Sequence, residues 1–192
     1  MKKALAIVVL IGAMSFMAGC GGGGDGTTAV EPTDAASRTP AAKSPGGAGS
    51  GGAGQDTPRT LRFTGETLDG EAFDGTSLAG KPVVFWFWAP WCPKCQAEGP
   101  DVAKAAEKFK GRVSFVGIGG LEKSKDRLNE FVSRTGTEGL THLDDRTGKL
   151  YAHFKVTSQS SFVFMAPDGT TSRDSGPLGE SELNRHVGKL LG

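Results

Sequence analysis

The chain predicts an α/β domain: a central mixed sheet flanked by helices and opened by an N-terminal β-hairpin. Three observations carry that expectation. Val83 to Trp88 is apolar without interruption, which suits a strand covered on both faces. Pro93 to about Lys110 follows it with helical spacing, and Val113 to Ile118 is a second apolar strand. Strand, helix, strand makes the two strands parallel neighbours.

The 192 residues change character before that domain begins. MKKALAIVVLIGAMSFMAGC carries two lysines, runs apolar from Ala4 to Ala18 and ends on small residues, the pattern of a secretory signal over residues 1–19. The run is shorter than the roughly 20 residues of a membrane-spanning helix. Met17-Ala18-Gly19-Cys20 resembles a bacterial lipobox, which makes Cys20 the expected lipidated residue after cleavage. An uncleaved anchor, or an ordinary signal with an accidental cysteine, would still export the domain.

Residues 20–58 read as the lipidated cysteine followed by a tether. Gly21 to Pro58 holds 11 glycines, four prolines and no aromatic residue, too little apolar surface to offset the entropy of ordering. As a flexible coil it spans roughly 30–40 Å, so a domain over residues 59–192 is expected close to the outer face of the cytoplasmic membrane. Lysine and arginine number 22 against 21 acidic residues, a net charge of +1. No basic field of the kind that nucleic acid requires is present.

Within the domain, Leu61-Arg62-Phe63 and Glu71-Ala72-Phe73, separated by Asp69-Gly70, read as the opening hairpin. The helix after Val83–Trp88 has proline in its first turn, apolar positions at Ala97, Val102, Ala105, Ala106 and Phe109, and Gly111 as a stop. Pro100 inside it deletes one hydrogen bond and predicts a kink. A second helix over Ser124 to Arg134 puts Leu128, Phe131 and Val132 on one face. Leu150 to Phe154 reads as a short helical turn, Ser161 to Met165 as a core strand and Thr170 to Arg173 as a polar edge strand after the turn Ala166-Pro167-Asp168-Gly169. A last helix places Leu183, Val187, Leu190 and Leu191 on one side.

With Cys20 assigned to lipid, only Cys92 and Cys95 remain, spaced C-x-x-C. A zinc site needs about four ligands, and His142, His153 and His186 supply no clustered second pair. A copper site of C-x-x-x-C plus histidine is one residue longer. A structural staple closing so short a loop removes little chain entropy. A redox pair accounts for position as well as spacing, because Cys92 stands where a buried strand has ended and a helix begins. Unpaired N–H groups and the positive end of the helix dipole there favour thiolate, the attacking species. Cys95, one turn along and more buried, would resolve the mixed disulfide. Lys94 adds to thiolate stabilisation or is simply a solvated lysine. Trp91 reads as a rigid ledge beside the sulfur. Glu98, three residues past Cys95, either trades the proton of Cys95 or is an idle glutamate on an exposed helix.

The motif Trp91-Cys92-Pro93-Lys94-Cys95, Glu98 and Pro100 resembles the WC-x-x-C-x-x-E-x-P of the exported, TlpA-like branch of the thioredoxin superfamily. TLDGEAFDG, LAGKPVVFWFWAPWCPKCQAEGP, VSFVGIGGL and VTSQSSFVFMAPDG extend the likeness to the actinobacterial disulfide-bond proteins of the DsbE/DsbF type. The resemblance covers residues 60 to 191. It implies a thioredoxin-like fold whose inserted helix follows the second βα unit. Cys92 is then the nucleophile, Cys95 the resolving cysteine and Glu98 the acidic residue at the site. It implies exchange with the thiols and disulfides of exported proteins and with a membrane redox partner, and neither organic cofactor nor metal.

Two positions depart from the family pattern. Many thioredoxins carry a buried aspartate where this chain has Trp86, which leaves Glu98 as the candidate for proton handling. A cis-proline loop faces the cysteines in the family, and here Gln159-Ser160 stands in it, with Ser160 at the proline position. The bond before Ser160 is expected either cis, held so by the fold, or trans in a reshaped loop. The resemblance, the missing aspartate and Lys94 together favour a disulfide donor. The alternatives are a TlpA-like reductase of apocytochrome c cysteines and a non-catalytic binding module.

Overall fold

The structure, a computed structural model, describes residues 57–192. The signal segment, Cys20 and nearly all of the tether lie outside the described residues. Seven strands and four α-helices follow one another: β1 (Thr64–Glu66), β2 (Ala72–Asp74), β3 (Val83–Trp88), α1 (Pro93–Lys108), β4 (Ser114–Gly120), α2 (Lys125–Thr135), β5 (Thr141–Asp145), α3 (Lys149–His153), β6 (Ser161–Met165), β7 (Thr171–Ser175) and α4 (Glu180–Leu191). The five main strands lie in the order β5-β4-β3-β6-β7, with β3, β4 and β5 parallel and β6 and β7 antiparallel. β1 and β2 form the separate hairpin.

β3 is central and all six of its residues are fully buried. Each such side chain contributes about 1.5–3 kcal/mol of burial, so this strand anchors the domain. Alternation splits it between two cores. Val84, Trp86 and Trp88 pack with residues of α1, α2 and α4, including both cysteines. Val83, Phe85 and Phe87 pack with Leu61, Phe63, Tyr151 and Phe154. Gly119, opposite Trp88 on β4, makes room for the indole: a Cβ there would stand 2.8 Å from Trp88 Cζ2.

Several expectations shift. The first hairpin arm is Thr64–Glu66, because Leu61 belongs to a 3₁₀ turn, Arg59–Leu61, that plugs the second core. Thr141–Asp145, unassigned from sequence, is an edge strand, so the inserted helix α3 follows β5 rather than α2 directly. Ala97 and Leu191 face solvent rather than the core. Pro100 lies inside α1, where it leaves the Gln96 carbonyl without its helical donor.

Candidate active site

Topology brings two chain segments together at one end of the sheet. β3 and β6 run antiparallel, with Phe87 opposite Ser161, so the loop ending at Ser160 lies beside the end of β3 that leads into α1. Cys92 caps α1 in extended conformation (φ −81°, ψ 113°), and its Sγ accepts a hydrogen bond from the Cys95 backbone N–H at 3.2 Å. Pro93 occupies the first turn, where its missing N–H costs nothing. Cys92 and Cys95 are joined as a disulfide with Cα atoms 5.3 Å apart.

Cys95 is wholly buried, and Cys92 retains only 3% of its surface. Cys92 thus offers solvent only a thin edge, because both cysteines pack into the Trp86–Trp88 core. Trp91 is 47% exposed and its indole N–H donates to the Leu121 carbonyl at 3.0 Å. Leu121, itself exposed and left-handed (φ 56°), extends that ledge. Gln96 braces the turn by donating to the Pro90 carbonyl at 2.7 Å. Neither Leu121 nor Gln96 was singled out by sequence, since no motif marks them. Lys94 and Pro100 are exposed, and Gln159 is half-buried.

Glu98 is 2% exposed, which corrects the alternative of an idle surface glutamate. Its Oε1 accepts from Trp86 Nε1 at 2.7 Å and from the Ser160 hydroxyl, and its Oε2 accepts from the Leu178 backbone N–H at 3.0 Å. Burial pushes its pKa above the ordinary 4.5, against the pull of the Ser160, Trp86 and Leu178 hydrogen bonds and of the Lys94 charge. Trp86 is thus a direct hydrogen-bond partner of Glu98, the residue that sequence singled out for proton handling. The Gln159–Ser160 peptide bond is cis.

The loop between β7 and α4 seals this cluster. Gly176 N–H donates to the Ser160 carbonyl at 3.1 Å. A Cβ at Gly176 would fall on Glu98 Oε2 and stand 2.8 Å from Ser160 Oγ, so only glycine lets the loop close. Farther along the same face, His142 donates from Nε2 to the Thr137 carbonyl at 2.9 Å, while its Nδ1 and Trp88 Nε1 have no protein partner. Burial holds the His142 pKa at about 4. Among the described residues, no group of three His, Cys, Asp or Glu side chains is placed to hold a metal ion.

The fold agrees with comparisons to known proteins. The AhpC/TSA family model matches residues 54–174. Soluble secreted antigen MPT53 of Mycobacterium tuberculosis is 39% identical over 144 residues, which cover 70% of this chain and 82% of the relative. The structure of MTB dsbF, in mixed oxidized and reduced forms, superposes with a TM-score of 0.68 at 41% identity, covering 70% of this chain and 99% of that one. A secreted M. tuberculosis disulfide oxidoreductase homologous to E. coli DsbE gives a TM-score of 0.64 at 39% identity, covering 68% and 97%. Matched over most of its length by that model, and sharing its fold with relatives of 39–41% identity, the chain belongs to the thioredoxin-like AhpC/TSA family.

Proposed function

We propose that the protein is an exported thiol–disulfide oxidoreductase that donates the Cys92–Cys95 disulfide to secreted and membrane proteins. The oxidoreductase class rests on relatives of 39–41% identity that carry it. The observation that carries the exchange chemistry is a buried acid one helical turn beyond Cys95, and the donor direction rests on the likeness to the DsbE/DsbF type. A substrate thiolate attacks Cys92 Sγ, the Cys92–Cys95 bond breaks, and Cys95 leaves with its electron pair and takes a proton from Glu98. A second substrate thiolate attacks the substrate sulfur of the mixed disulfide and expels Cys92 as thiolate, held by the Cys95 N–H and the start of α1. Two electrons pass from the substrate dithiol to the pair. Glu98 is reprotonated by solvent, and a disulfide-bearing membrane partner takes the two electrons back.

Trp91 and Leu121 form the ledge on which substrate rests, Lys94 favours the thiolate, and Gln159 offers backbone to an extended substrate. Cys20 carries the lipid, and residues 20–58 tether the domain at the outer face of the cytoplasmic membrane. Mass spectrometry of the mature N-terminus tests the anchor; an unmodified Cys20 would refute it. The reduction potential of the pair, measured with trapping of partners on Cys95→Ser, tests the direction. A value near about −120 mV is expected, and one near about −270 mV would support reduction of apocytochrome c cysteines instead. A Cys92 that alkylates with an unshifted midpoint of about 8.5 would reduce the domain to a binding module.

A further inference from the structure

We propose that the Ser160 hydroxyl is a positioning group for Glu98, fixing its carboxyl group and supplying the one partner that serves both its ionised and its protonated form. This rests on the assignment of Glu98 as the group that trades a proton with Cys95. Three donors surround the carboxylate: Trp86 Nε1, Leu178 N and Ser160 Oγ. The indole and the backbone amide can only donate, so both favour the ionised form. A proton arriving on Glu98 turns one oxygen into a donor, and in a buried site that donor needs an acceptor.

Among the side chains bonded to Glu98, Ser160 alone has lone pairs to accept with, once its hydroxyl rotates. Trp86 Nε1 also lies 3.2 Å from Ser160 Oγ, so the indole steadies the hydroxyl oxygen in either state. The proline that the family pattern places here has neither capacity. Trp86, standing where thioredoxins have an aspartate, and Ser160, standing where they have proline, thus meet on one carboxyl group. Glu98 is faced from α1 by Lys94, from β3 by Trp86, from the loop before β6 by Ser160, and from the loop before α4 by Leu178 and Gly176. Of these only Lys94 carries charge, and the two cysteines, joined as a disulfide, do not titrate in the oxidised protein.

The bond to a carboxylate is about twice as strong as a neutral one, so losing the hydroxyl penalises the ionised form more. Ser160→Ala is therefore expected to raise the Glu98 titration midpoint by about one pH unit, a tenfold change in its protonation equilibrium. The test follows the Glu98 side-chain carbon by NMR in the oxidised protein, together with the pH profile of peptide-dithiol oxidation. Both are measured for the wild type, Ser160→Ala, Ser160→Gly as a second hydroxyl-free variant, Ser160→Thr and Glu98→Gln. Midpoint and profile limb move up together in the hydroxyl-free variants and return with threonine, and Glu98→Gln removes the limb. A limb removed by Glu98→Gln but unmoved in Ser160→Ala and Ser160→Gly overturns the role of Ser160 and leaves Glu98 in place. A limb that survives Glu98→Gln overturns the assignment of Glu98 and this proposal with it.

Discussion

The two faces of β3 are made by alternate residues of one strand, yet they satisfy their polar groups in different ways. On the face of Phe85 and Phe87, the rings of Phe63, Tyr151 and Phe154 meet edge to face or tilted, with centroids 4.7 to 6.4 Å apart. Its buried polar groups bond to backbone: Asp145 accepts from Leu150 N and Tyr151 N, capping α3, and the Tyr151 hydroxyl donates to the Trp88 carbonyl. On the face of Trp86 and Trp88, backbone bonds are joined by bonds between side chains, as in Trp86, Ser160 and Glu98, and by groups without a protein partner, Trp88 Nε1 and His142 Nδ1. Backbone partners cannot change protonation or rotamer. Side-chain partners can, and the reactive sulfurs stand on the face that has them.

The comparison breaks most visibly if the phenyl face also governs chemistry. Phe85→Ala opens a cavity among Phe63, Phe154 and Val163 and is expected to cost about 3–5 kcal/mol, read as a fall in the urea midpoint. The exchange rate per folded molecule and its pH profile stay those of the wild type. A shifted profile in this variant would mean that the two faces are not separable.

On the indole face the next largest effect is a pH dependence of stability. Burial depresses His142 from its ordinary 6.5 to about 4. A depressed group contributes stability that is complete above its unfolded value and is lost as pH falls through the folded one. Between neutral pH and pH 4, this one side chain withdraws about 3 kcal/mol. His142→Gln, measured by urea denaturation at a series of pH values, should flatten that decline. An equally steep decline in the variant would place the acid sensitivity elsewhere.

How much of this was visible in the sequence follows the range of the contacts. β3 and β6 have the bounds expected from their unbroken apolar runs. β5 escaped because Thr141-His142-Leu143-Asp144-Asp145 is an edge strand whose one apolar residue, Leu143, gives no run to see. At the site, the short-range part was readable: Cys92 at a helix start, and Glu98 on the helical face of Cys95. The burial of Glu98 was not, because it comes from Ser160, 62 residues away, and Leu178, 80 residues away, brought in by a loop that a single glycine allows to close. Periodicity carries no information about such meetings. Two departures from the family pattern were the only hint, and they proved to be neighbours.

The smallest effect is also the sharpest, because two contributions of opposite sign meet in it. Glu98 carries a raised pKa, so its contribution to stability is complete below the ordinary 4.5 and is lost as pH climbs through the folded value. Glu98→Gln removes that loss but sets its amide beside two groups that can only donate, so one N–H of the new side chain must face the indole or the Leu178 N–H. The variant can thus be less stable than the wild type at low pH. The difference in unfolding free energy between variant and wild type must nevertheless move in the variant's favour as pH rises above about 4.5, and level off once Glu98 is ionised. The three hydrogen bonds that offset burial keep that movement small. A difference that moves the other way would mean that the hydrogen bonds outweigh burial and that Glu98 stands ionised beneath the disulfide, unable to protonate Cys95 as it leaves.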